Sequence, residues 1–165
     1  MKHGCSTRHG GVSEGCFESL NLALDAGDSK ENVAENYRRF CEAVGVDREK
    51  IVVAHQEHTD NVLVVDEENF GKLRGLKNPI RGVDGFITNL KNCALVSRFA
   101  DCQGVLMFDP VKNVICAVHS GWRGNAQNII GKAVKKMVKE FECGAENILV
   151  GISQSLGPCC AEFTD

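Results

Sequence analysis

The sequence is short of the signals that mark most specialised chains. It has only three prolines in 165 residues, and no linker, repeat or low-complexity tract divides it. No apolar run approaches the ~18 residues that a membrane helix needs. The start, Met1-Lys2-His3-Gly4-Cys5, lacks the apolar stretch of a signal peptide, so the cytoplasm is the expected location. Lys and Arg number 19 against 22 Asp and Glu, a net charge of −3; no basic excess points to nucleic acid. Aromatic residues make up 6% of the chain, with a single Trp. The absence of any Cys-x-x-Cys pair argues against a zinc ribbon and a thioredoxin-type site.

What is present is an average globular composition, 43% hydrophobic and 25% charged. A chain of this length buries roughly 70% of its unfolded surface, so residues 1–165 are expected to form one domain. The nine cysteines are an odd number and cannot all pair within one chain. Cys41, Cys93, Cys116 and Cys143 stand among apolar neighbours and read as packing residues in a reducing compartment.

The periodicity predicts an α+β protein with mixed, partly antiparallel sheets. Asp28 with Glu31 resembles a capping box. Val33, Tyr37, Phe40, Cys41 and Val44 then share one helix face, and Gly45 supplies the stop. Strands are expected at 51–54, 61–65, 85–88, 94–97, 104–108, 114–119 and 147–152, with a tight connection at 109–113. A second helix is expected over about 126–141. Ile130, Val134, Met137, Val138 and Phe141 form its buried stripe, and Lys132, Lys135, Lys136 and Lys139 its solvated side.

Three residues with ligand chemistry fall at predicted strand edges. His58 follows Gln56-Glu57, Cys102 precedes the strand at 104, and His119 ends the strand from 114. Two imidazoles and a thiolate make a zinc set with one position open, and such a site lowers the pKa of a bound water toward about 7. Spacing alone does not join the three, and a histidine beside a strand is commonly a surface hydrogen-bonding residue. His55 and His58 are a competing local pair, weakened because residues three apart on a strand face opposite ways. Arg123, between Trp122 and Gly124, is placed to hold an anion at a helix start; equally, Trp122 packs and Arg123 pairs with an Asp. Arg8, close to Gly10-Gly11, is a further possible anion contact.

The motifs also occur as an ordered set. Thr7-Arg8-His9-Gly10-Gly11-Val12-Ser13, Ser19-Leu20-Asn21-Leu22, Gln56-Glu57-His58, Asp84-Gly85, Ala100-Asp101-Cys102, His119-Ser120-Gly121-Trp122-Arg123-Gly124 and Gly157-Pro158-Cys159-Cys160 follow the order of the YfiH-type family. The chain resembles that family, labelled both polyphenol oxidoreductase (laccase) and purine nucleoside phosphorylase, over nearly its whole length. The resemblance implies a four-layer α-β-β-α sandwich akin to bacterial deamidase toxins. It implies zinc as cofactor on His58, Cys102 and His119, with copper the weaker choice. It implies phosphorolysis of adenosine, inosine, guanosine and methylthioadenosine, plus deamination of adenosine. The partners are then purine nucleosides and phosphate, with neither nucleic acid nor membrane.

On that reading Cys102, His119 and Asp101 are the catalytic set, with Asp101 the proton-transfer residue. Arg8, Arg123 and Asn21 are the substrate and phosphate contacts. The chain departs from the family pattern at Glu57, Ser153-Gln154 and Ala161. It also stops before the Cys-Thr and Phe-Phe-Ser-x-Arg-Arg segments with which family members continue, so a C-terminally truncated domain is expected. Three other readings compete. One is a thiol hydrolase or deamidase with Cys102 as nucleophile and His119 as base. Another is a nucleoside-binding domain without full activity. A multicopper phenol oxidase is the weakest, because five histidines cannot populate several copper clusters.

Overall fold

The computed structural model describes residues 1–77, 79–157 and 159–160. Pro158, Ala161 and the terminal Thr164-Asp165, which figure in the C-terminal motif and its departures, lie outside them.

The first helix, α1 (Lys30–Val44), begins one residue later than Asp28 suggests. Ser29 is the N-cap, its hydroxyl accepting from the Asn32 N–H. Asp28 instead gathers donors from three elements: the Ser13 hydroxyl at 2.6 Å, the Asn21 amide at 3.0 Å and the Ser29 N–H at 2.8 Å. Gly45 ends the helix at φ 74°, a left-handed position that glycine takes without strain. Val33, Tyr37 and Cys41 are buried as expected, together with Asn36. Asn36 reaches out of the helix to Val12, Ser13, Ser19 and Asn21 and so fastens the glycine-rich N-terminal loop to it.

The central sheet has five strands in the order β3-β5-β8-β7-β9. They are β3 (Val62–Val64), β5 (Gly85–Thr88), β8 (Val114–Ser120), β7 (Gln103–Asp109) and β9 (Leu149–Ile152). Only β3 and β5 run parallel; the other neighbours are antiparallel. Two short parallel pairs lie outside this sheet. The 51–54 run splits into β1 (Ile51–Val52), paired with β6 (Ala94–Leu95), and β2 (Ala54–His55), paired with β4 (Ile80–Arg81). A helix not foreseen from the pattern, α2 (Glu67–Leu73), is held at its start by a capping box between Asp66 and Asn69.

The second helix, expected over about 126–141, begins later, as α4 (Ile129–Phe141), and a five-residue α3 (Trp122–Ala126) precedes it. Asn128 breaks them at φ 59° and caps α4 by accepting from the Gly131 N–H. One face of α4, Ile129, Ala133 and Met137, packs on Ile87, Val105, Met107, Cys116 and Val118 of the sheet. The expected stripe is corrected at Val138, which stays 40% exposed. Lys132, Lys135 and Lys139 lie on the exposed side as expected, Lys132 pairing with Asp60, while Lys136 is drawn inward and donates to the Val62 carbonyl at 2.6 Å. The edge strand β9 exposes Leu149, Val150 and Ile152.

Cys41, Cys93, Cys116 and Cys143 are all buried, and all nine cysteines are free thiols. Met137 is fully buried, so Met137→Ala is expected to cost about 2–5 kcal/mol. Val138→Ala on the same helix should stay near neutral. Urea-unfolding midpoints of the two variants check the assignment of the buried face.

Candidate metal centre

The sheet register sets the site. Side chains alternate along β8, so Val114, Cys116 and Val118 face α4 and His119 points to the other side. Gly85 lies opposite Val118, which makes Asp84 and His119 the next cross-strand neighbours. Their backbones join, His119 N–H to the Asp84 carbonyl at 2.7 Å. Their side chains meet as well, the Asp84 carboxylate lying 2.7 Å from His119 Nδ1.

Asp84 is 3% exposed, yet its two oxygens are crowded with donors. One takes the Thr59 N–H at 2.8 Å, the Thr59 hydroxyl at 2.7 Å and the Glu57 N–H at 3.2 Å. The other takes the His58 N–H at 3.1 Å in addition to His119. Burial alone would raise its pKa, but these hydrogen bonds, from His119 and Thr59 above all, hold it below the usual value. The carboxylate is therefore ionised, so Nδ1 of His119 carries the proton and donates. Nε2 of His119 is the nitrogen turned away from Asp84, the arrangement by which a carboxylate orients an imidazole toward a metal.

The same carboxylate shapes the 57–59 loop that carries His58 at φ 59°. His58 Nε2 lies 3.5 Å from Cys102 Sγ. The His58 and His119 rings meet edge to face, 4.9 Å between centroids. Donor atoms of His58, Cys102 and His119 all lie within 4.8 Å of one another. Two imidazoles and a thiol at such separations fit an ion that binds nitrogen at ~2.0–2.1 Å and sulfur at ~2.3 Å. Burial pushes the His58 pKa down, helped by His119 and Arg123 and opposed by Asp84. That shift favours the neutral imidazole, the form in which a histidine binds a metal. Burial pushes the Cys102 thiol up, and the charges of Asp101 and Asp84 add to that, against a hydrogen bond from the Trp122 backbone. The thiol becomes a good ligand only when a cation compensates the charge of its thiolate.

Close packing needs two glycines here. A side chain at Gly121 would fall 2.1 Å from His58 Cδ2, and one at Gly124 would fall 2.5 Å from the Thr59 carbonyl oxygen. Both let α3 press against the His58 loop. Gln56 completes the frame: it accepts from the Arg98 N–H at 2.8 Å and donates back to the Arg98 carbonyl. That ties the His58 loop to the segment leading to Cys102. Glu57, where the family pattern has Val, turns its side chain to Arg81 at 3.4 Å.

The remaining residues singled out in the sequence spread around this centre. Asp101 is exposed, and its carbonyl accepts from the Leu156 N–H at 3.1 Å. Arg123 lies over the Trp122 ring, 4.8 Å from its centroid, rather than on a structural Asp. Arg8 donates to the Glu18 carbonyl at 2.9 Å, and Asn21 donates to Asp28; among the described residues neither hydrogen-bonds the triad. His55 is taken by Asp25 at 2.9 Å and does not join the metal-type group. The Cys102 thiol lies 3.5 Å from His58 Nε2, and His119, the expected base of a thiol–imidazole dyad, offers its donor atom within 4.8 Å of it. An apolar cavity of about 380 Å³ lies elsewhere, with Phe40, Val44, Leu95, Leu106 and Ile115 among its walls and no member of the triad. Asp84 and Gln56 are the site residues that pattern reading did not single out as functional. The signal available for Asp84 was an acidic residue directly before an apolar strand.

Fold and site define an α+β protein with a two-imidazole, one-thiol donor set at the end of its sheet. The chain belongs to the family described as multi-copper polyphenol oxidoreductase laccase, whose model matches residues 2–165. The purine nucleoside phosphorylase YlmD of Geobacillus stearothermophilus is 32% identical over 163 residues, 98% of this chain and 60% of that protein. The crystal structure of YlmD superposes with a TM-score of 0.88, covering 94% of this chain and 58% of that one. The protein YfiH of Bacillus licheniformis, 28% identical, superposes at 0.87 over 93% of this chain and 58% of its own. The chain thus spans about three-fifths of the length of these relatives.

Asp84→Asn replaces one acceptor oxygen with a donor amide, leaving N–H groups of the 57–59 loop unpaired. The expected loss is about 1–3 kcal/mol for each donor left unsatisfied. The folded pKa of Asp84 is depressed, so its contribution is present above the ordinary carboxylate pKa of ~3.9 and lost as pH falls through the folded value. Urea midpoints measured between neutral and acid pH should therefore converge for wild type and variant at the acid end. A constant gap across that range would contradict this role.

Proposed function

We propose that the chain carries the metal-binding part of a zinc-dependent purine nucleoside phosphorylase. Its substrates are adenosine, inosine, guanosine and methylthioadenosine, and adenosine deamination is a second activity. The observation that supports this best is the convergence of His58 from the loop after β2, Cys102 just before β7 and His119 near the end of β8, residues far apart in sequence, beside one ionised carboxylate. The name borne by YlmD supports the reaction class. Zinc is favoured over copper by a single mixed nitrogen and sulfur set with no second cluster beside it among the described residues. The reading extends to a cytoplasmic location and to the four-layer α-β-β-α arrangement related to deamidase toxins. No helix among the described residues is long and apolar enough to cross a membrane.

When bound, zinc supplies Lewis acidity at the end of the sheet. His58, Cys102 and His119 hold it, with Asp84 fixing the tautomer of His119. Arg123 and Arg8 bind phosphate and offset its charge, with Asn21 as a further contact. A phosphate oxygen attacks the anomeric carbon of the ribose, the glycosidic bond breaks, and the purine leaves after protonation. Asp101 is the residue that moves the proton in this step; in deamination water adds at C6 of the adenine, the C6–N bond breaks, and Asp101 passes the proton to the leaving amine, which departs as ammonia.

A second reading has one observation of its own, the 3.5 Å contact between Cys102 and His58. It makes Cys102 the nucleophile of a hydrolase or deamidase. Metal analysis separates the two, because stoichiometric zinc occupies the thiolate. The direct test is phosphate-dependent release of hypoxanthine from inosine, with and without a chelator. The phosphorylase reading expects release that the chelator abolishes. It also expects His119→Ala to lose both zinc and turnover; unchanged zinc content and rate in that variant would refute the assignment. Nucleoside binding with no turnover in the wild type would mark a binding domain instead.

A further inference from the structure

We propose that Trp122 is the platform on which the purine base stacks, at the mouth of the His58–Cys102–His119 centre. The proposal rests on the purine nucleoside reading above and assigns that substrate's base a subsite. Trp122 is the only tryptophan of the chain. It is 54% exposed, although a large aromatic side chain stabilises a fold mainly by being buried.

Its backbone is fixed where the chemistry is. Trp122 is the first residue of α3, and its N–H bonds to the Cys102 sulfur. The preceding residue, Gly121, lies against the His58 ring so closely that no side chain fits there. The following residue, Arg123, reaches His58 with its charge and rests its guanidinium 4.8 Å from the indole centroid. An indole whose backbone is tied to Cys102, and on whose face a cation rests, is partly oriented before any substrate arrives. That is the preorganisation that makes an aromatic side chain effective in binding.

A flat π-system is the ligand chemistry that such a surface recognises. Base–aromatic stacking is sequence-tolerant because every base offers a π-face, and each stack is worth enough to change affinity about tenfold or more. A bicyclic purine covers more of an indole than a monocyclic pyrimidine does. The platform therefore discriminates between nucleosides that share the same ribose. Arg123 has a double part: it braces the indole and keeps its positive charge beside the base subsite, where phosphate is to bind.

The single tryptophan makes the test direct. Intrinsic fluorescence, excited beyond the nucleoside absorption band, is titrated with inosine and with uridine in the presence of zinc. Saturable quenching by inosine, and weak or no quenching by uridine, is the expected result. In the inosine assay, Trp122→Ala should raise KM for the nucleoside about tenfold while leaving zinc content and KM for phosphate near wild type. Trp122→Phe should recover most of that loss, which a merely structural role would not require. Turnover of inosine without quenching, or a wild-type nucleoside KM in Trp122→Ala, overturns the platform and leaves the phosphorylase reading standing. Selective quenching without turnover keeps the platform and refutes phosphorolysis.

Discussion

The buried carboxylate of Asp84 is the interaction on which the rest of the site depends. A carboxylate this enclosed is costly unless its lone pairs are filled. Here they are filled by backbone and side-chain donors of Glu57, His58 and Thr59 and by the His119 ring. One group thereby closes the loop that carries His58 and orients the ring of His119. Satisfying the charge and building the site are the same event. Asp84 is itself placed by the antiparallel ladder between β5 and β8. The site geometry is thus inherited from the register of the most buried part of the sheet.

Packing supplies the second constraint. The α4 face of the sheet carries the apolar cluster that pins β8 and β7 in place. Strand alternation sends His119 to the opposite side, so the core residues and the candidate site never compete for space. The short α3 then has to turn back immediately after β8. Gly121 and Gly124 allow it to lie on the His58 loop at distances no other residue would permit. This gives the Gly-Trp-Arg-Gly segment a physical reason apart from any likeness to a family.

Much of this was legible in the sequence, and the limits have physical causes. The buried strand at 85–88 and the alternating run from 114 are found where the pattern puts them, because burial of apolar residues decides both. The four packing cysteines are likewise read correctly from their neighbours. His58, Cys102 and His119 were visible as three residues at predicted strand edges but were joined only by the order of motifs, since β2 belongs to a separate strand pair and its following loop meets the β7–β8 ladder through tertiary contacts that spacing does not reveal. Helix ends were less legible. Ser29 rather than Asp28 caps α1 because Asp28 is engaged by Ser13 and Asn21 across the chain. The break at Asn128 depends on one left-handed residue inside an otherwise continuous helical pattern. The seven-residue α2 has too little periodicity to announce itself and rests on its cap. Asp84 stands in the Asp84-Gly85 motif, but its role depends on donors that lie far from it in the chain.

The buried cysteines have a consequence of a different kind. Cys41 lies in the cluster under α1, Cys93 in the cluster around Val52 and Phe86, and Cys116 and Cys143 in the cluster under α4. Burial pushes the Cys93 thiol up to about 12 and the Cys143 thiol up to about 11, so each is silent toward electrophiles while its cluster stays closed. Every region of the core therefore carries its own chemical clock. The order in which these thiols become modifiable would date the opening of one part of the molecule against another, with no label introduced from outside.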